Sequence, residues 1–139
     1  MTRSVAAFMA GLLVACAAAQ PARQAVCLTY EPAEVTLTGR ITLVQHFGPP
    51  NFGETPELDK RIDVPLLALS APVDVCGDAT SELNADTEVA VREVQLLGDD
   101  NVGERWNNQS VRISGTLSHA QTGYHFTKVL LTIQRIEPQ

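Results

Sequence analysis

The stretch EVTLTGRITLVQHF, residues 34–47, decides the fold class of this chain. The aliphatic side chains that share one face of its extended backbone are Val35, Leu37, Ile41 and Leu43. Threonine and arginine side chains fall on the opposite face. This period of two predicts a β-strand with one buried face, long enough to pair with neighbours along both edges. A glycine on the apolar face indicates a bend or the close approach of a neighbouring strand.

The rest of the chain after the N-terminal segment carries the same strand signals, interrupted by turn-forming residues. Further strands are predicted at 61–75, 87–97, 110–120 and 124–136. The longest connections follow the first and the third strand, and they are rich in Gly, Pro, Asn and Asp. This pattern predicts one all-β domain over residues 27–137, a small five-stranded OB-like Greek-key barrel, with a β-sandwich as the alternative.

The N-terminal segment is typical of a secretory signal, because a single arginine precedes an Ala-rich apolar run. Residues 13–16, LVAC, resemble a bacterial lipobox, in which Cys16 becomes the lipidated N-terminus. Ordinary cleavage after Ala19 is the alternative. We therefore expect residues 1–19 to direct export to the cell envelope and residues 20–26 to form a tether. The mature protein would be attached to the outer membrane by lipid alone, or be periplasmic or secreted.

Two cysteines remain after the signal, Cys27 and Cys76. An even pair in an oxidising compartment predicts a disulfide. A bond that closes so long a loop contributes about 4 kcal/mol in the chain-entropy treatment.

The charge of the chain limits its partners. The formal net charge is −6 at pH 7, and no stretch combines clustered Lys and Arg into a basic stripe. Because neutralising phosphates supplies most of the affinity for nucleic acids, the sequence argues against DNA or RNA as a partner.

Several motifs together resemble a known family. In order, they are CLTYEP, VTLTG, GPPNFGE, VREVQLL and VRISGTLSHAQTGYHFTKVLLTIQRI. Over residues 27–136 the chain is similar to the bacterial domain of unknown function 4431 family, which consists of small exported proteins. The resemblance implies a compact β domain and no established activity. The family tends to place several histidines after the Thr-Gly, where this chain has Tyr124, His125 and Phe126.

The last two predicted strands should form a hairpin. A three-residue turn with glycine in its last position would pair His119 with His125, and Ile113 with Leu131. Two facing imidazoles form either a hydrogen-bonded pair or part of a zinc or copper site. A zinc site needs at least three protein ligands, and this hairpin supplies no third. Metal binding by this histidine pair is therefore an alternative hypothesis.

The chain lacks the sequence motifs of nucleophile elbows, zinc proteases and phosphate-binding loops, so we expect no catalytic activity. OB-type barrels bind ligands between the loop after the first strand and the loop before the last. The candidate ligand-binding residues in and beside these loops are Asn51, Phe52, His119, Tyr124, His125 and Phe126. The sequence thus favours a binding module for a small ligand or an envelope protein, without a cofactor. The alternatives are a periplasmic metal-binding protein, or an inhibitor or accessory subunit of an envelope enzyme.

Overall fold

The computed structural model describes residues 26–139. The predicted signal and lipobox with Cys16, and the tether up to residue 25, lie outside the described residues. The described part of the chain consists of strands and one short helix, which confirms the all-β prediction. These elements are β1 (Cys27–Thr29), β2 (Glu34–Phe47), β3 (Arg61–Cys76), β4 (Glu88–Leu97), α1 (Val102–Trp106), β5 (Ser110–His119) and β6 (Val129–Pro138).

The strands form a single six-stranded sheet in the order β1-β3-β2-β5-β6-β4, with an additional pairing between β3 and β4. The pairs β1–β3 and β4–β6 are parallel, and the other pairs are antiparallel. Because of the additional pairing, every strand from β2 to β6 has hydrogen-bonded neighbours on both sides. The long strand β2 pairs with β3 and with β5, as its length predicts.

The apolar face of β2 is buried as its alternation predicts. Leu37 and Ile41 are 5% and 0% exposed. A side chain at Gly39 would place its Cβ 2.2 Å from the carbonyl oxygen of Ala68, so glycine is needed where β3 crosses close to β2. Because Gly39 has no side chain, β2 and β3 stay paired through the bend.

Each strand from β2 to β6 contributes a fully buried side chain to one core. These side chains are Ile41, Leu67, Val94, Ile113 and Leu131. Burial of each one contributes about 2 kcal/mol. Helix α1 packs against this core through Val102, which is 0% exposed, and through Gly103, whose Cβ would lie 2.3 Å from Leu43. Among the described residues, no helix is long and apolar enough to cross a membrane.

The predicted disulfide is present between Cys27 and Cys76. It joins β1 to the end of β3, where the two strands run parallel and Thr29 is the partner of Cys76. The five-strand prediction missed β1, because three residues are too few to show a period of two. The cross-link holds this short edge strand in place.

The predicted start of the last strand is wrong. Strand β6 begins at Val129, and residues 120–128 form a long loop instead of a three-residue turn. His119 is therefore the partner of Val129, and Ile113 is the partner of Ile136. An irregularity between Ser114 and Gly115 shifts the register further. The pairing of His119 with His125, on which the metal hypothesis depends, is not formed.

Candidate functional site

A second apolar layer covers the face of the sheet that points away from the core. Val64, Leu66 and Leu130 are at most 4% exposed, although they do not belong to the core cluster. Leu66 and Leu130 are both strand partners of Gln95, so the side chains of Leu66, Gln95 and Leu130 share one face. We call this surface of β3, β4 and β6 the outer face. Loop 120–128 is attached to this face through the side chain of Gln95.

Gln95 fastens the loop to the outer face. Its side-chain Nε2 donates to the carbonyl oxygen of Tyr124 at 3.0 Å, and its Oε1 accepts from the backbone N–H of Phe126 at 2.7 Å. Its own backbone N–H donates to the hydroxyl of Thr127 at 2.8 Å, and that hydroxyl donates to the carbonyl of Val129. Gln95 is 7% exposed, so these bonds form away from bulk water. They explain why residues 124–128 do not continue β6.

An aromatic stack holds the same loop at its centre. The rings of His46 and Phe126 lie 4.3 Å apart between centroids, with an interplanar angle of 23°. His46 stands on β2 beside Ile62 of β3, so the stack lies on the outer side of the sheet. The Nε2 atom of His46 is buried and has no hydrogen-bond partner among residues 26–139. Within residues 26–139, the stack on Phe126 is therefore the contact that orients the ring of His46.

Loop 48–60 is closed by its own hydrogen bonds. The buried carboxylate of Asp59 accepts from the backbone N–H groups of Asn51 at 2.7 Å and Gly53 at 2.6 Å. The side-chain amide of Asn51 donates to the hydroxyl of Thr55. Asn51 therefore shapes this loop, whereas the sequence interpretation gave it a role in ligand contact.

Phe52 lies between the two N–H groups that Asp59 binds. It has a φ of 52°, which is uncommon for an aromatic residue, and it remains 40% exposed. Its ring meets the ring of Tyr124 edge-on, at 5.3 Å between centroids. Tyr124 is itself 53% exposed. The structure thus brings together two of the candidate ligand residues, one from each loop, and leaves both accessible to solvent.

Two grooves flank Phe126 on the outer face. One has a volume of about 290 Å³ and lies between the start of β3, the end of β4 and the rings of Tyr124 and Phe126. Carboxylates of Asp63, Asp99 and Asp100 line this groove. The other has about 360 Å³ and lies between the first half of β4 and residues 126–129. Phe126 borders both grooves and therefore separates them.

His119, the next candidate residue, belongs to a different cluster. Its Nε2 lies 3.0 Å from a carboxylate oxygen of Glu88 and its Nδ1 lies 3.1 Å from the carbonyl oxygen of Ala120. Both partners are acceptors, so both ring nitrogens donate when the imidazole is protonated. Asn84 accepts from the backbone N–H of His119. The ring of Tyr30 meets that of His119 at 6.2 Å.

The surroundings in this cluster shift the pKa values of two acids, Glu88 and Tyr30. The hydrogen bond from His119, followed by the hydrogen bond and charge of Lys128, holds the pKa of Glu88 below its usual range. Burial, together with the charges of Glu88 and Asp86, raises the pKa of Tyr30 to about 12. The phenol therefore stays neutral and donates to the carbonyl of Asp86. This cluster ties the base of loop 120–128 to β4.

The ring of His125 accepts hydrogen bonds, whereas the ring of His119 faces two acceptors. Its Nδ1 accepts from the backbone N–H groups of Gln121 at 2.9 Å and Thr122 at 3.3 Å, which requires that this nitrogen carry no proton. The two histidines thus bind different partners and face different groups. Among residues 26–139, no group of three or more His, Cys, Asp or Glu side chains is placed to hold a metal ion.

A third cavity lies far from the two loops in the sequence. It measures about 650 Å³ and adjoins the disulfide, between the turn after β1 and the connection after β3. Its polar side chains bond within the protein: Asp78 accepts from Thr80, Ser81 accepts from the N–H of Asn84, and Asn84 accepts from His119. The outer face has the smaller grooves but the exposed aromatic rings, so we consider it the better candidate site.

Sequence reasoning missed three residues on which these sites depend: Gln95, His46 and Asp59. Gln95 is a single polar residue within the apolar run VQLL, where an outward-facing side chain is the ordinary explanation. His46 and Asp59 stand at the ends of loop 48–60 and carry no motif. Their roles depend on contacts that the local sequence does not specify.

Comparisons with known proteins agree with part of the resemblance found in the motifs. No curated protein and no solved structure matches the chain. A family match is found, and it extends from Glu93 in β4 to Glu137 in β6, a shorter range than the motifs indicate. It includes Gln95, His119, His125 and Phe126. Residues 93–137 match the model of the domain of unknown function (DUF4431) family.

Proposed function

We propose that the sheet closes into an OB-like five-stranded barrel, to which β1 adds an edge strand. The pairings support this architecture, because β2, β3, β4, β6 and β5 follow one another in a closed circuit. In an OB barrel the face of the second and third strands, together with the loops after the first and before the last strand, binds the ligand. In this chain those elements are β3, β4 and the loops 48–60 and 120–128.

The proposed function is non-catalytic binding at the outer face. The observation that carries it is the contact between Phe52 and Tyr124, which joins the two loops and leaves both rings exposed. Aromatic rings with an exposed face provide contact area at a small cost in conformational entropy, and for this reason they are enriched in binding surfaces. The aspartates of the adjacent groove favour a neutral or cationic ligand over a phosphate-rich one.

The place of action in this proposal is the cell envelope. The signal-like segment, the lipobox with Cys16 and the disulfide between Cys27 and Cys76 support it, because disulfides persist in oxidising compartments. A Cys16→Ser variant tests the anchor. We expect the variant to move from the membrane fraction to the soluble fraction after cell fractionation, and unchanged membrane association would refute lipidation.

The binding role is tested by photo-crosslinking in cells. A photoreactive amino acid at Tyr124 should give a discrete crosslinked product, because this side chain stands at the proposed site. The matched control is the same amino acid at Leu83, which is 56% exposed in the connection between β3 and β4. Identical products from both positions, or no product from Tyr124, would contradict binding at the outer face.

A further inference from the structure

The segment from Tyr124 to Thr127 lies on the outer face in the way that a bound peptide would. Main-chain atoms of Tyr124 and Phe126 bind the side chain of Gln95, and the ring of Phe126 stacks on His46. We propose that the outer face is a recognition site for an extended peptide with an aromatic side chain, and that the protein's own Phe126 occupies this site until such a peptide replaces it. This inference rests on the proposed binding role and specifies its ligand.

The chemistry of Gln95 suits a peptide backbone. Its amide has N–H donors and an oxygen acceptor, and the loop uses one of each with main-chain atoms, namely the carbonyl of Tyr124 and the N–H of Phe126. Main-chain groups are present in every peptide, so the same pair of bonds is available to a segment of another protein. Gln95 therefore recognises the direction and spacing of a backbone rather than particular side chains.

The position of the Phe126 ring suits other aromatic side chains. The ring of Phe126 stacks on His46, and the buried Nε2 of His46 has no partner within residues 26–139. A stacked pair is sequence-tolerant, because any planar ring offers the same face. The ring of an incoming tyrosine, tryptophan or phenylalanine is thus the natural replacement for Phe126.

The shape of the surface around Phe126 also suits an extended peptide. Phe126 separates a groove of about 290 Å³ from one of about 360 Å³, and both border on β4. Withdrawal of this one side chain would join the grooves along the strand and leave room for residues on both sides of an incoming ring. Asp63, Asp99 and Asp100 at one end favour a ligand that is neutral or basic there.

Loop 120–128 lies outside the pairings that form the sheet. Residues 120–128 belong to no strand, and the core cluster includes none of them. Phe126 is only partly buried. Release of the loop would break the bonds of Gln95 and of the buried Thr127 as well as the stack. None of residues 120–128 takes part in the pairings of β2 to β6.

The test uses the exported protein and a synthetic peptide with the sequence of residues 121–128, QTGYHFTK. In the Phe126→Ala variant the aromatic position is empty, so we expect the peptide to bind about tenfold more tightly than to the wild type, where the intramolecular segment competes. The readout is NMR titration of the Gln95 side-chain amide signals. The matched control is the same peptide with alanine in place of Phe126, which should bind neither protein.

A second variant, Phe126→Leu, retains apolar volume without a ring and replaces Phe126→Ala if that variant does not fold. Equal affinity of the two peptides for a folded variant would overturn aromatic recognition. Failure of both variants to fold would also overturn the proposal, because a displaceable segment is not required for the fold. Crosslinking from Tyr124 together with a negative titration would leave the binding role intact and remove only the peptide ligand.

Discussion

The two loops that meet at the candidate site differ in what holds them. Loop 48–60 is closed by bonds within itself, with Asp59 at its centre and a hydrogen bond from the N–H of Gly48 to the carbonyl of Lys60 at its base. Loop 120–128 also has a hydrogen bond at its base, from the N–H of Ala120 to the carbonyl of Lys128, and a small turn around His125. Its segment around Phe126, however, is held to the sheet by Gln95 and His46.

This difference indicates which loop can move. A loop with internal hydrogen bonds keeps its shape when its surroundings change, whereas a loop held by a few contacts with a sheet changes state when those contacts are replaced. Loop 48–60 is therefore the fixed wall of the candidate site. In the proposed peptide recognition, loop 120–128 is the part that the ligand displaces.

The largest expected effect concerns the fixed loop. An Asp59→Ala substitution removes the acceptor of two backbone N–H groups in a buried position, and we expect a loss of about 3 kcal/mol in the free energy of unfolding. Urea denaturation measures it. Asp59→Asn retains one side-chain oxygen and should lose less. A loss below that of an exposed control, Glu57→Ala, would show that loop 48–60 does not depend on this carboxylate.

The next effect concerns the loop that is held by the sheet. A Gln95→Ala substitution removes both side-chain bonds to loop 120–128, and we expect a loss of about 2 kcal/mol. Hydrogen exchange should accelerate at the N–H of Phe126 and remain unchanged at the N–H groups of Asn51 and Gly53. Gln95→Glu is the matched control, because it retains the acceptor for Phe126. Equal acceleration in both loops would contradict their independence.

The difference between local and distant contacts also explains how much of the fold could be predicted. Strands β2 to β5 begin and end within one residue of their predicted bounds, because their alternation and the Gly- and Pro-rich connections are local features of the sequence. The disulfide followed from cysteine number and compartment. These features require no knowledge of distant contacts.

The site could be predicted only in part, because its second half depends on distant contacts. Residues 124–128, YHFTK, have the composition of a strand, and propensity alone extends β6 through them. Gln95, about 30 residues earlier, instead binds the main chain of this segment and fixes it as a loop. Because residues 124–128 form a loop, His119 pairs with Val129 and lies beside Glu88, and not opposite His125 as predicted. The local sequence pattern does not show that Gln95 competes with strand formation for the main chain of residues 124–128.

A smaller effect is expected where the base of loop 120–128 joins β4. Because the pKa of Glu88 is lowered in the folded state, its contribution to stability is present above the ordinary value of 4.5 and is lost as the pH falls through the lower folded value. Thermal unfolding of the wild type should therefore show a midpoint that decreases below that pH. In Glu88→Gln the decrease should be shallower. Identical pH profiles would show that the ion pairs of Glu88 with His119 and Lys128 add no stability.

The smallest expected effect is the contact between the loops themselves. An edge-to-face pair of aromatic rings is worth about 0.5 kcal/mol when both rings are exposed, because water competes for their surfaces. A double-mutant cycle with Phe52→Ala and Tyr124→Ala measures this coupling by urea denaturation. A coupling near zero fits two loops that are held independently and touch only at their tips. A coupling above about 2 kcal/mol would mean that the fixed loop also holds the displaceable one, and the contrast between them would then fail.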